Sequence, residues 1–379
     1  MYEYQKNNRY FAQVADDIKE LSVLELSGLG AQNISEGYRG VYFDADREAL
    51  YRINYCSRLS SRILAPLFWF PCHTADQLYK KAKKLEWKEF IPLGRTFAIF
   101  SNVSHSAIRN SHYAALRLKD GIVDSLRDNK GERPDIDVKN PDIRLSLHIT
   151  KNEAIVSLDT SGGSLHKRGY RKDAVEAPMQ ETVAASIIRY SEWDGSVPFY
   201  DPMCGSGTLV CEALMHCCSI PPGFLRRRFG FEYLPDYDKK LWMNLKKEID
   251  MHMRELPRGR IAGSDISISA VRISKENLRR LPYGDKVTLR TIDFGKGDGL
   301  NNGVIITNPP YGIRMGQREK LDALYKSFGD FLKQKCKGST AYVYFGEREF
   351  IKKIGLKPAW KKPLTTGGLD GRLVKYEMF

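Results

Sequence analysis

The seven cysteines, Cys56, Cys72, Cys204, Cys211, Cys217, Cys218 and Cys336, are odd in number and include no C-x-x-C pair. Neither a zinc site nor a disulfide framework is supported. The seven histidines, His105, His112, His166 and His216 among them, have no metal-ligand spacing, so no metal is expected. No apolar run is long enough to span a bilayer, and the polar opening stretch Met1–Glu20 lacks the apolar core of a secretion signal. A reduced, cytoplasmic protein with no membrane partner is expected. No fixed-period repeat or low-complexity tract is present, which excludes a solenoid.

What is present is a long, well-provisioned chain. Its 379 residues exceed one ordinary core, and a 42% hydrophobic content can fill two or three domains. Lysine and arginine outnumber acids by 60 to 46, giving a net charge of +14 spread along the chain. Such a balance suits a polyanionic partner, although a solvated basic surface has the same composition.

The first half mixes short helical and strand-like pieces, with an amphipathic helix expected over Asp46–Ile63 and paired strands over Ile143–Thr150 and Glu153–Asp159. The glycine-rich, basic run Ser161–Arg171 reads as a linker into a helix over Met179–Tyr190. Beyond it, strands at Val197–Tyr200, Arg260–Ser264, Lys286–Ile292, Gly303–Thr307 and Thr340–Phe345 alternate with helices at Thr208–Cys217, Ser269–Arg280 and Leu321–Lys333. That alternation predicts an α/β fold with a mostly parallel, doubly wound sheet, whose ligands sit beyond the carboxyl ends of the strands.

Two motifs fall at such strand ends. Asp201-Pro202-Met203-Cys204-Gly205-Ser206-Gly207-Thr208 follows the first of these strands. Its two glycines let the backbone approach a ligand. Val210 stands where a dinucleotide fingerprint needs a third glycine, and no Gly-Lys-Ser/Thr completes a P-loop. A cofactor with a cation and no phosphate remains, namely S-adenosylmethionine, with Asp201 near its positive end. Asp265 is placed for ribose hydroxyls and Asp293 for the adenine amine, with Phe294 beside the ring; a loop-cap role is the alternative for each acid. Asn308-Pro309-Pro310-Tyr311 forms the second motif. Two prolines fix the backbone, so the Asn308 side-chain oxygen and the Pro309 carbonyl can accept the N–H groups of a planar exocyclic amine while Tyr311 stacks on the base.

Together these motifs resemble class I S-adenosylmethionine-dependent amino methyltransferases with a Rossmann-like sheet. The segments His166–Arg171, Ala177–Thr182, Ile108–Tyr113 and Ser57–Ile63 narrow the resemblance to THUMP-containing 23S rRNA guanine-N2 methyltransferases. It implies an N-terminal ferredoxin-like unit over 1–64, a THUMP RNA-binding domain over 65–160, a linker and helix over 161–190, and a methyltransferase domain over 191–379 with an insertion near 218–258. A second methyltransferase domain, carried by some relatives, has no counterpart before Phe379. Cofactor contacts are implied at Asp201, Met203, Cys204, Gly205, Gly207, Thr208, Asp265, Ile266, Asp293 and Phe294, and in the Pro178–Thr182 turn through Pro178, Glu181 and Thr182. The product would be S-adenosylhomocysteine.

RNA contacts are expected from Arg109, from Lys167, Arg168 and Arg171, from Arg226, Arg227 and Arg228 of the insertion, and from Arg314 after the proline motif. Phe229 and Phe231 either stack on bases or pack the insertion onto a core. The expected partner is RNA, 23S rRNA or a large-subunit assembly intermediate, with methyl transfer to guanine N2. Guanine-N2 methylation of tRNA and a non-catalytic ribosome-assembly role are the rivals.

Overall fold

The computed structural model describes residues 1–130, 134–171, 179–311, 318–366 and 369–379. Pro178, Arg314, Ala177 and Gly312 lie outside them. The chain divides into two compact units, one of Met1–Val14, Ser22–Leu165 and Arg226–Lys247, the other of Ala15–Leu21, His166–Leu225 and Glu248–Phe379.

The first unit is built on one seven-stranded sheet, β1 (Arg9–Gln13), β2 (Gln32–Gly37), β3 (Gly40–Asp44), β4 (Arg62–Pro71), β5 (Phe97–Ser104), β6 (Ile143–Thr150) and β7 (Glu153–Asp159), in the order β2-β3-β1-β4-β7-β6-β5. All neighbours are antiparallel except β5 and β6. The two small α+β pieces expected from sequence thus share a sheet, joined where β1 pairs with β4. β1 has no counterpart among the expected elements.

The helix expected over Asp46–Ile63 is shorter, Arg47–Cys56. Asp46 caps it by accepting from the Ala49 N–H at 2.8 Å. It stops at Ser57 because the distant Glu25 carboxylate accepts the Ser57 hydroxyl and the Arg58 and Leu59 N–H groups at 2.8, 3.0 and 3.2 Å. The chain leaves the helix there, and Ile63 belongs to β4.

Part of the insertion belongs to this unit. Phe229 and Phe231 are buried and stacked at 5.1 Å, and Trp242 and Tyr51 close the cluster, with Phe231 4.5 Å from Tyr51. Packing, not base stacking, is the reading of those two rings that the structure supports. The segment is fitted closely: a Cβ on Gly230 would stand 1.9 Å from the Asp159 carbonyl oxygen.

The second unit holds another seven-stranded sheet: β8 (Phe199–Asp201), β9 (Ile261–Asp265), β10 (Thr288–Thr291), β11 (Val304–Thr307), β12 (Thr340–Phe345), β13 (Trp360–Pro363) and β14 (Arg372–Glu377). Its order is β10-β9-β8-β11-β12-β14-β13, parallel from β10 to β12 and antiparallel at β14 and β13. The chain runs outward from β8 to β10 and then returns to place β11 on the other side of β8, so the switch point lies between β8 and β11. Phe328, Phe331, Leu332 and Tyr325 of the helix Arg318–Lys335 bury one face against Ile305, Val343 and Phe345. No described helix is long and apolar enough to cross a membrane.

Gly230→Ala is expected to lower the stability of the first unit by about 1–3 kcal/mol through overpacking. Urea unfolding followed by tryptophan fluorescence checks this, and an unchanged midpoint would contradict the packing described.

Candidate active site

At the switch point a cavity of about 450 Å³ opens beyond the carboxyl ends of the parallel strands. Asp201, Met203, Cys204, Gly205, Thr208, Asp265, Ile266, Asp293, Phe294, Asn308, Pro309, Pro310 and Tyr311 all line it. Residues from four strand ends therefore meet, as the spacing of the motifs predicts.

Asp201 closes β8 and is almost wholly buried. Its Oδ1 accepts from the Thr307 hydroxyl at 2.7 Å and the Met203 N–H at 3.1 Å, so it ties the end of β8 to the end of β11. Burial pushes its pKa up to about 7, against the opposing pull of those two hydrogen bonds. The carboxyl is thus poised to ionise when a positive group arrives.

Asp265 spans the loop with both oxygens. Oδ2 accepts from the Gly205 N–H at 2.9 Å and Oδ1 from the Ser267 N–H at 2.9 Å. Each oxygen retains a lone pair for a further donor. Asp293 accepts from the Gly295 N–H at 2.8 Å as a helix cap, with its other oxygen left over. The cap role and the pocket-lining role coexist in both acids.

The two glycines of the turn differ. Gly205 has φ +53°, and a Cβ there would meet nothing within 4 Å, so its open side is the cavity. Gly207 has φ +79°, and a Cβ would fall 2.1 Å from Ser274 Oγ on the helix Ile268–Leu278. Gly207 therefore serves close packing of the turn on that helix, and it is absent from the cavity wall.

The proline motif carries the feature with the most chemical content. Asn308 Oδ1 is buried and, among the described residues, has no hydrogen-bond partner. A buried amide oxygen without a partner costs roughly 1–3 kcal/mol, and here it belongs to a residue lining the cavity. Pro309 is buried, while the Pro310 carbonyl accepts from the Tyr325 hydroxyl at 3.2 Å. Tyr311 packs over Gly346 and edge-on to Tyr344, ring centroids 6.2 Å apart, and burial raises its pKa. One face of its ring is thereby committed to the protein, leaving less of it to stack on a base than the sequence suggests.

The two arginines of the linker run Ser161–Arg171 point inward. Arg168 is fully buried and paired with Glu212, Nε to Oε1 at 3.3 Å, with the Tyr170 hydroxyl on the same carboxylate. Arg171 donates to the Met179 carbonyl and the Thr208 hydroxyl, both at 3.0 Å, and pairs with Glu181 at 3.3 Å. Arg226 donates to the carbonyls of Ser161, Gly163 and Ser164. The expectation of RNA contact at these three arginines gives way to internal roles, because each guanidinium is spent on local carbonyl, hydroxyl or carboxylate partners. Lys167, Arg109, Arg227 and Arg228 are exposed, Arg228 lying 3.8 Å from Asp142.

Glu181 and Thr182 are buried and stand outside the cavity wall, Glu181 being held by Arg171 while burial raises its pKa. Met179, Pro202, Ser206, Leu209 and Leu324 also line the cavity. Three of these sit inside the Asp201–Thr208 turn and its helix, where adjacency is the signal; Met179 and Leu324 arrive from distant segments and carry no local mark. Among the described residues no cluster of His, Cys, Asp or Glu could hold a metal ion.

Comparison with known proteins agrees with this geometry. Residues 168–375 match the model of the RMKL-like methyltransferase domain, residues 72–159 that of the THUMP domain, and residues 9–64 that of the RlmL ferredoxin-like domain. A candidate RNA methyltransferase of Synechocystis sp. is 37% identical over 98% of this chain and 97% of its own length. A ribosomal RNA large subunit methyltransferase K/L of Vibrio campbellii is 35% identical over 98% of this chain, which spans 53% of that protein. The crystal structure of SMU.472, a candidate methyltransferase complexed with SAH, superposes with a TM-score of 0.85 at 30% identity over 98% of both chains. With the glycine turn and proline motif in one cavity and a matching family model over most of the second unit, the chain belongs to the RMKL-like methyltransferase family and carries a THUMP domain and an RlmL ferredoxin-like domain ahead of it.

Proposed function

We propose that this protein transfers a methyl group from S-adenosylmethionine to the exocyclic N2 amine of a guanine in 23S rRNA. The observation that carries the reading is the buried Asn308 Oδ1, without a partner among the described residues, in the same cavity as the glycine turn. The family membership and the K/L relative favour ribosomal RNA as the substrate class.

The cavity suits the cofactor. Gly205 leaves space against the backbone, Asp265 and Asp293 keep acceptor capacity for ribose and adenine, and Asp201 offers a carboxyl to a cation. When bound, S-adenosylmethionine supplies an electrophilic methyl on a sulfonium whose positive charge is lost on transfer. The residues of this chain then act by holding the amine. Asn308 Oδ1 accepts one N–H, which fixes the plane of the base and directs the nitrogen lone pair along the line of transfer. The rigid Pro309-Pro310 backbone, anchored by Tyr325, keeps that oxygen in place. The amine attacks while neutral and sheds its proton afterwards, so no strong base is required. A guanine within folded RNA has to be extruded to reach the cavity.

Asn308→Ala should lower methyl transfer to RNA by ~100-fold or more while calorimetry finds S-adenosylmethionine binding nearly unchanged; full activity in that variant would overturn the assignment. Undermodified ribosomal RNA and tRNA incubated separately with labelled cofactor should show label in ribosomal RNA, and label confined to tRNA would move the substrate. Because Asp201 is protonated in part near neutrality, binding a cation beside it expels a proton. Affinity for S-adenosylmethionine should therefore climb about tenfold per pH unit below pH 7 and level off above it, and Asp201→Asn should bind weakly without that slope. A slope that survives the substitution would contradict the role given to Asp201.

A further inference from the structure

Asp293, the acid proposed to receive the adenine amine, follows the least supported of the four strand ends. β10 is an edge strand of four residues, paired only with β9, and three of its four side chains are exposed. Neither pairing on a second side nor burial of its own side chains fixes what comes after it. The residues beyond it nevertheless make a tight turn. The Asp293 carboxylate accepts from the Gly295 N–H at 2.8 Å, the Asp293 carbonyl from the Lys296 N–H at 2.9 Å, and the Phe294 carbonyl from the Gly297 N–H at 3.0 Å. A helical turn this short leaves the carbonyls at its far end without partners of its own.

Lys335, the last residue of the helix Arg318–Lys335, takes those carbonyls. Its Nζ donates to the Gly295 and Gly297 oxygens, both at 2.9 Å. Its own carbonyl accepts from the Leu300 N–H at 3.1 Å, and the chain passes so close that a Cβ on Gly299 would stand 2.0 Å from that oxygen. One residue therefore holds the segment after β10 at two points, by side chain and by backbone. Phe294 completes the seat, its ring centroid 5.4 Å from those of Phe328 and Phe331 on the same helix. Among the described residues Lys335 forms no ion pair, whereas nearby Lys333 pairs with Asp330. In sequence Lys335 is one of three lysines in the run Lys333–Lys337 and reads as a solvated helix end.

We propose, on the strength of S-adenosylmethionine as the cofactor and Asp293 as its adenine contact, that Lys335 is a positioning residue for the cofactor's base. By pinning the Asp293–Gly297 turn it keeps the second Asp293 carboxylate oxygen turned to the cavity, where that oxygen accepts the adenine amine and makes the site selective for adenine. Lys335 itself stands outside the cavity wall. Its helix also contributes Leu324 to that wall and the Tyr325 hydroxyl to the Pro310 carbonyl, so the adenine turn and the proline motif share one mount.

Calorimetry on the full chain tests this without turnover, using S-adenosylhomocysteine and its 6-deamino analogue, in which hydrogen replaces the adenine amine. The wild type should bind the parent compound roughly 10- to 150-fold more tightly, the equivalent of one hydrogen bond to a charged acceptor. Lys335→Met removes the donors and keeps the stem. It should bind the analogue as the wild type does and lose most of the preference for the parent. Lys335→Arg, whose fork can serve two carbonyls, should restore that preference. Asp293→Ala should abolish it, and adding Lys335→Met to Asp293→Ala should cost nothing further. If Lys335→Met does not fold, Lys335→Gln, too short to reach the two carbonyls, carries the same expectation. A lysine with a merely structural role would weaken both ligands alike. That result, or a full preference kept in Lys335→Met, overturns the role of Lys335 and leaves the methyl-transfer reading intact. A wild type that binds both compounds equally overturns the role of Asp293 and this one with it, and a wild type that binds neither overturns the functional reading as well.

Discussion

The hydrogen bond from the Thr307 hydroxyl to Asp201 is the constraint on which the catalytic unit turns. It joins the ends of two adjacent parallel strands that are 106 residues apart in sequence. The glycine turn leaves one end and the proline motif leaves the other, so this bond, together with the β8–β11 pairing, sets where one motif stands relative to the next. The cost is a carboxyl group in an almost dry environment, and that cost is what raises its pKa. A group held at such expense at a strand end is well suited to respond to a charged ligand.

Behind the turn lies a second layer of polar order. Arg168 and Glu212 form a fully buried pair shared with Tyr170, and Arg171 reaches from the linker to the Met179 carbonyl and the Thr208 hydroxyl. Buried pairs of this kind add little net stability, yet removing one partner leaves an uncompensated charge, which makes them strict about geometry. Thr208 opens the helix that follows the glycine turn, and Met179 and Thr208 both line the cavity. The linker arginines thereby position the cavity wall, where composition alone points to nucleic acid.

Local signals in the sequence carried far. The strands Ile143–Thr150, Glu153–Asp159 and Thr340–Phe345 and the helix Thr208–Cys217 have the limits that apolar periodicity assigns them. The cavity collects most of the strand-end residues because doubly wound sheets put ligands at one place. What was not legible depends on partners far along the chain. Glu25 ends the helix that periodicity carries through to Ile63, and Glu212 and Glu181 bury arginines that look like surface residues when read in isolation. Gly207 reads as a ligand glycine until Ser274 is seen against it. β1 was missed because Arg9–Gln13 is short, and its strand character comes from pairing on both sides.

The chemistry attributed to the cavity comes down to one buried acceptor atom that has no partner among the described residues and lies beside a site for a methyl donor. Nucleoside mass spectrometry of RNA methylated by the pure protein measures its consequence most directly. The acceptor calls for an exocyclic amine, and with guanine as the proposed substrate the expected product is N2-methylguanosine. A methyl group on a ring nitrogen, on a ribose hydroxyl or on a pyrimidine carbon would contradict the account.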